Sequence, residues 1–376
     1  MKKGTVIMLG VVLCLILFLT VNRKTEDASP MPAPSGEPAG QNGKIINVQN
    51  ERQALYAFIK TRMTGPFGVF TNLKETDEAK ETATGHEVLS ESASLQMRED
   101  ARSKRKEEFA QHWALARQTF DLKQGFSYRY SPKQQKKYPL NAAVDDLRVI
   151  RALAEAAKAF DEPAYAKEAE KYGKRFYETN VKDGRLYDFY DETYGITNKF
   201  VTLCYIDLRT LGMLPVPDAS KQALLDNMKS LIAKGYLSDA FPFYETRFDY
   251  EKNAYTSEGI NMVESLLTVL HLAEAGEPAP ASIRYIKEHV KAGTLYGRYT
   301  KEGTPATQVQ STAIYAITAM IGSEIGDASL YQDSIQRMNA YQVKDEGSPL
   351  NGGFGDAASG QAYSFDNLMA LLAYTY

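Results

Sequence analysis

The stretch G85-HEVLSESASLQ-M97 (Gly85–Met97) reads as a helix with one unusual flank. Val88, Leu89, Leu95 and Met97 supply apolar surface, while Ser90, Ala93 and Ser94 keep one side thin enough for a second helix to approach closely. Glu91 stands in the middle of that thin flank, where an ordinary amphipathic helix places an apolar residue. A carboxylate there is a buried ion-pair partner or a working acid. Two further acidic helix openings favour the second reading: Asp145–Asp146 in DDLRVIRAL and Glu258 in SEGINMVESL. Each acid also has a plain structural role available, as a cap or dipole partner at a helix N-terminus.

From Ile45 onward the periodicity is helical, and helix starts are expected near residues 48, 86, 103, 144, 163, 196, 218, 257, 280, 308, 328 and 361. Short aromatic tracts separate the helices, centred on Phe67, Tyr128, Tyr187, Tyr244, Tyr296 and Phe354, and successive centres are 61, 59, 57, 52 and 58 residues apart. Six units of two helices at a near-constant period indicate a repeat that stacks or closes. The expected fold is all-α: an (α/α)6 toroid of six helical hairpins spanning 46–376, its tracts gathered at one mouth. An open α-solenoid is the competing arrangement.

The segment before this domain has its own logic. Lys2 and Lys3 precede an apolar run from Thr5 to Val21, and Arg23 and Lys24 follow it. At 1.5 Å per helical residue such a run covers about 26 Å, enough to cross a bilayer core. The reading is a cytoplasmic stub (1–4), an uncleaved transmembrane signal anchor (5–22), a flexible Pro/Gly/Ser-rich linker (23–45) and a domain outside the cell. Cys14 lies within the run behind Leu13, where lipoprotein processing wants a small residue. Cys204 is the other cysteine and is expected to be a buried thiol on a helical face.

Composition narrows the chemistry. A net charge of -3 without basic blocks argues against a nucleic-acid partner. Four histidines without HExxH spacing give no protein metal site, and no cofactor motif is present. Carboxylates and aromatics remain, with 24 Tyr and 16 Phe. That pairing suits sugars: two carboxyl groups cleave a glycosidic bond, and flat rings accept the C–H faces of pyranoses. Glu91, Glu258 and Asp146 are therefore the catalytic candidates. Asp145, Arg148, Tyr187, Tyr190, Tyr244 and Asn261 are the substrate-binding candidates. The partner is a polysaccharide and the domain is expected to be a monomer.

The run VLSESASLQM resembles the segment that bears the general acid in glycoside hydrolase family 8, with Glu91 on the acid. AAVDDLRVIRALAEA resembles that family's DxDLxIAxAL inner helix, with Asp146 on the second aspartate and Val144 on the first. YTSEGINMVESLL resembles the general-base segment, with Glu258 on the aspartate and Asn261 on the arginine. The smaller family 126 is similar as well. The resemblance implies an (α/α)6 barrel and an inverting hydrolase whose acid and base carboxyls are about 6.5–9.5 Å apart. Two other functions stay open: a toroid that binds polysaccharide without cutting it, and a polysaccharide lyase using Tyr128-Arg129-Tyr130 or Tyr296-Gly297-Arg298-Tyr299. The charged run REDARSKRKEEFAQHW, after the acid, has no functional reading from sequence.

Overall fold

The computed structural model describes residues 46–78 and 82–376. The expected stub, anchor (5–22) and linker (23–45) lie outside the described residues, and no helix among the described residues is long and apolar enough to cross a membrane. Twelve α-helices are present among these residues: α1 (Gln49–Phe58), α2 (Ser90–Arg102), α3 (Lys106–Phe120), α4 (Ala143–Phe160), α5 (Pro163–Asn180), α6 (Leu208–Met213), α7 (Asp218–Lys234), α8 (Met262–Glu274), α9 (Pro280–Ala292), α10 (Thr312–Glu324), α11 (Ala328–Asn339) and α12 (Ser364–Ala373). The even-numbered helices form an inner ring. α2 packs on α4, α4 on α6, α6 on α8, α8 on α10, α10 on α12, and α12 returns to α2. The ring is closed, which settles the toroid against the open solenoid.

Burial follows from this layering. In α10 every residue from Thr312 to Ser323 is buried, because other helices flank it on all sides. An amphipathic outer helix such as α9 buries only Ser282, Ile286 and Val290. Pro163 and Pro280 open α5 and α9, where a missing N–H costs nothing. Gly322 lets α11 lie against α10, since a Cβ there would sit 2.7 Å from the Tyr331 amide nitrogen.

Three expected helix starts are corrected, all for one reason. The residues before the inner helices are extended and pair with neighbouring mouth loops. Val88–Leu89 pair with Arg129–Tyr130, so α2 begins at Ser90 and not near 86. Ile260–Asn261 pair with Arg298–Tyr299, so α8 begins at Met262 and Glu258 does not open a helix. Phe200–Thr202 pair with Arg247–Asp249, which replaces the helix expected from 196. Cys204 is buried as expected, but in the short 3-10 turn Leu203–Tyr205. The aromatic tracts are thus small hairpins that knit the mouth together.

The charged run after Glu91 finds its explanation at the other end of the inner ring. Arg98, Glu99 and Asp100 are buried. Arg98 pairs with Glu155 at 3.0 Å, and Arg151 pairs with Glu155 at 3.1 Å and Glu274 at 2.6 Å. The Tyr376 hydroxyl accepts from Arg98 (3.0 Å) and donates to Glu274 (3.2 Å). Arg105 and His112 close on Asp100 in turn. Buried charge survives here because nearly every ion has a partner of opposite sign.

Candidate active site

Four inner helices carry an acid in their first turn: Glu91 on α2, Asp145 and Asp146 on α4, Glu264 on α8 and Asp366 on α12. Helix N-termini favour negative charge, so the ring's geometry gathers carboxylates at the mouth.

The centre of the cluster is Glu91. Its Oε2 lies 3.9 Å from Arg148 Nη1, and the same nitrogen donates to Asp145 Oδ1 at 3.0 Å. Glu91 and Asp145 therefore approach to within about 7 Å at most, the two contacts laid end to end. Asp145 Oδ2 also accepts from the Ser90 hydroxyl at 2.9 Å. Burial pushes the Glu91 carboxyl up to about 7, with the charges of Asp145 and Asp366 adding to it and Arg148 opposing. Asp145 is raised by burial too, but it holds two hydrogen bonds to its anionic form. Of the two carboxyls, Asp145 is the one whose anionic form is held by hydrogen bonds, while Glu91 lacks such partners and is the one pushed towards the neutral acid. Glu91 keeps 29% of its side chain exposed, so a ligand can reach it.

Asp145→Asn is expected to move the alkaline limb of any Glu91-dependent activity to lower pH. The substitution removes a like charge and frees Arg148 towards Glu91, and both effects favour the ionised glutamate. A pH–rate profile checks this. An unmoved limb would show that Asp145 does not set the Glu91 proton.

Several sequence candidates lie elsewhere. Asp146 faces away from Glu91: it accepts from Asn141 Nδ2 at 2.9 Å, a Cβ on Gly125 would touch it at 3.2 Å, and its Oδ1 has no partner. Burial raises its carboxyl to about 7. The α4 register brings its neighbour Asp145, and not Asp146, to Glu91 through Arg148. Glu258 is exposed on a bend before α8. Asn261 caps α8, its Oδ1 accepting from the Val263 and Glu264 amides. Tyr244 is buried against Tyr236, with ring centroids 5.6 Å apart, so it cannot offer a sugar its face. Tyr187 is half-buried against Tyr250, and Tyr190 is half-buried in a hairpin with its amide held by Asn141 Oδ1. Of the lyase residues, Arg298 is exposed, and Tyr128, Tyr130 and Tyr296 are half-buried. Arg129 is fully buried and paired twice with Glu87, at 2.6 and 2.7 Å, and Tyr299 is buried with its hydroxyl donating to the Thr294 carbonyl.

Other residues of the site escaped sequence reasoning. Tyr205, in the 3-10 turn between α4 and α8, has its phenol held well above the usual range by burial, and by the charges of Asp145, Asp188 and Glu91. Asp188 accepts from the Thr202 amide and hydroxyl, at 2.6 and 2.5 Å, and burial raises it to about 6. Glu264 is raised by burial against the opposing charges of Arg247 and Arg298. A first-turn acid on four of the six inner helices was the available signal for Glu264 and Asp366. Tyr205 and Asp188 gave none that distinguishes them from loop residues.

Deeper in the barrel Asp207, His271 and Glu274 bring possible ligand atoms within 4.8 Å of one another. Arg151 holds both Glu274 oxygens, each at 2.6 Å, and Thr210 donates to both Asp207 oxygens, at 2.9 and 2.5 Å. With its carboxylates so engaged, this group reads as an ion-pair network and not as a ligand set.

No family model matches the chain. A solved structure described as a novel alpha-amylase from Clostridium perfringens is 32% identical and superposes with a TM-score of 0.80, over 86% of this chain and 97% of that one. The chain belongs to the family 126-like glycoside hydrolases. A second structure, endoglucanase Cel10 from Klebsiella pneumoniae, described as a family 8 glycosyl hydrolase, shares the fold of this hydrolase. It is 14% identical, with a TM-score of 0.56 over 76% of this chain and 99% of that one. The hydrolase is also 31% identical over 239 residues to "Putative lipoprotein YdaJ" of Bacillus subtilis (strain 168), a match covering 62% of this chain. It spans 64% of that relative's length.

Proposed function

We propose that the protein is a polysaccharide hydrolase that acts by inversion, with Glu91 protonating the leaving oxygen. The observation that carries this reading is a glutamic acid at the mouth, pushed up to about 7 and set beside the anion of Asp145. A carboxyl that is partly protonated near neutral pH can donate its proton without being consumed by solvent. Asp145 and Arg148 orient the reacting sugar. Glu264, in the first turn of α8, is the better base than Glu258, because it is half-buried in the acidic arc while Glu258 stands in solvent. The amylase described for the Clostridium perfringens structure and the glucanase described for the Klebsiella one make soluble starch and β-glucans the first substrates to try.

The test is a panel of soluble starch, carboxymethylcellulose, mixed-linkage β-glucan and xylan, scored for reducing ends, with proton NMR reporting the anomer first released. Inverted product is expected, and Glu264→Gln should lower kcat by about 100-fold or more. A Glu258→Gln variant that loses more than Glu264→Gln would return the base role to Glu258. Polymer binding without any reducing ends would replace hydrolysis by binding alone.

The same reading places the enzyme at a bacterial cell membrane, single-pass, with its catalytic domain outside. The apolar run from Thr5 to Val21 supports this, as does a relative described as a lipoprotein. Protease added to intact cells should remove the domain, and protection of the domain until lysis would overturn the placement.

A further inference from the structure

We propose that the mouth beside α8 reads a carboxylate on the substrate, held between Arg247 and Arg298, so that the polymer taken is an acidic polysaccharide; this rests on the hydrolase reading above. The observation is a pair of arginines on neighbouring hairpins that the chain itself does not use up. Arg129 and Arg148, also at the mouth, are spent on Glu87 and Asp145. Arg247 and Arg298 are both exposed, and neither forms an ion pair with a carboxylate among the described residues.

Backbone pairing places both of them. Arg298 pairs in register with Asn261, the residue that caps α8 and accepts from the Glu264 amide. A Cβ on Gly259 would lie 3.8 Å from Arg298 Nε, which sets this side chain against the bend that leads into α8. Arg247 pairs with Thr202 on one side and Thr256 on the other. Its neighbour Thr246 lines one crevice together with Asn261 and Glu264. The two guanidinium charges therefore flank the first turn of α8, and both pull the Glu264 carboxyl down against its burial.

Arg247 is also held in position. Its Nε donates to Thr202 Oγ1 at 3.3 Å, and its Cζ stands 4.8 Å from the centre of the Phe200 ring. The Thr202 hydroxyl in turn donates to Asp188 at 2.5 Å. Thr202 immediately precedes the turn Leu203–Tyr205, whose Tyr205 feels the charges of Asp145, Asp188 and Glu91. That chain of contacts ties Arg247 to the acid side of the site. The nearby loop acids are already taken: Glu245 by Lys301 and Ser257, Asp249 by Lys252, and Asp188 by Thr202. A guanidinium fixed at Nε keeps its Nη edge for a ligand, and a planar fork of N–H donors matches a carboxylate. A neutral glucan offers only hydroxyls and leaves both charges unanswered.

Binding of the full chain to matched polymers tests this. Glucuronoxylan is compared with its carboxyl-reduced form, and carboxymethyl starch with hydroxyethyl starch. The acidic member of at least one pair should bind about tenfold tighter or more. Preference for glucuronoxylan alone marks a uronate, and preference for carboxymethyl starch alone marks a carboxylated substituent. Arg247→Gln and Arg298→Gln should each cut that preference roughly threefold to tenfold without lowering the melting temperature. The ratio within a pair is the deciding readout, because damage to the fold or to Glu264 weakens both members alike. Equal binding of acidic and neutral members, a preference that neither substitution moves, or competition by dextran sulfate as strong as by the acidic polymer would each overturn the proposal. Equal binding with neutral polymers still cut would leave the hydrolase reading standing. A preference that depends on both arginines, with no reducing ends from any polymer, would sink the hydrolase reading and keep the carboxylate site.

Discussion

Glu91→Gln is expected to lower kcat on a natural polysaccharide by about 10²–10⁴-fold, which corresponds to roughly 3–5 kcal/mol of barrier. The amide keeps the shape of the side chain and removes the proton that the leaving oxygen needs. An aryl glycoside, whose leaving group departs without protonation, should recover part of the rate. The variant should not be destabilised, and the sign follows from the direction of the shift. The Glu91 carboxyl is raised in the fold from 4.5 to about 7. Its contribution is therefore most favourable below pH 4.5, declines as the pH rises towards about 7, and levels off above that. Glutamine carries no such penalty, so at pH 8 the variant should melt no earlier than wild type. A variant that melts early yet turns over at the wild-type rate would make Glu91 a structural ion-pair residue.

Arg151→Ala should destabilise the domain by about 3–5 kcal/mol, because it strands buried carboxylates and removes more than one ion pair. Arg151 is almost fully buried and contacts Glu274 at 2.6 Å, Glu155 at 3.1 Å and Asp207 at 3.6 Å. In wild type both glutamates are held low, at about 2, against the effect of their burial: Glu155 by Arg98 and Arg151, Glu274 mainly by Arg151. Depressed carboxyls contribute stability that is complete above pH 4.5 and lost as the pH falls towards about 2. Without Arg151 the folded-state values rise, so acid unfolding should begin at higher pH as well as at lower temperature. The double variant Arg151→Met/Glu274→Gln should recover much of the loss, since the cost lies in the unpaired ion and not in the absent bridge. Thermal and acid denaturation followed by circular dichroism would measure both effects. A single variant as stable as wild type would mean that water enters this cluster freely.

Periodicity carried the architecture, because amphipathic helices such as α4 and α9 keep a 3.6-residue pattern and the aromatic tracts recur once per hairpin. What periodicity could not show was the pairing of Val88–Leu89 and Ile260–Asn261 with distant loops. Such short extended pieces depend on partners far along the chain, and they moved Glu258 out of the helix that was to have carried it. The choice between Asp145 and Asp146 was hidden for a related reason. Adjacent residues on a helix point about 100° apart, so the rotation of α4 about its axis decides which acid meets Glu91. The resemblance to family 8 set Asp146 on that family's second aspartate, and in the structure it is the neighbouring Asp145 that meets Glu91 through Arg148. Glu91 itself was legible, since a charged residue on a thin helical flank is costly to bury without a use or a partner.

Ring closure has a consequence for how the chain can come to be folded at all. α12 is the wedge between α10 and α2, and the Ser92 hydroxyl donates to Ser364 Oγ across 272 residues of sequence. A solenoid can assemble hairpin by hairpin as it leaves the ribosome, each repeat resting on the one before. Here the flank of α2 that α12 covers must wait for nearly the whole domain to be made. During that interval the future acid-bearing helix is half-dressed, and loop closure of this length is slow. The toroid should therefore appear late and all at once, with α2 the element most in need of shielding from aggregation until then.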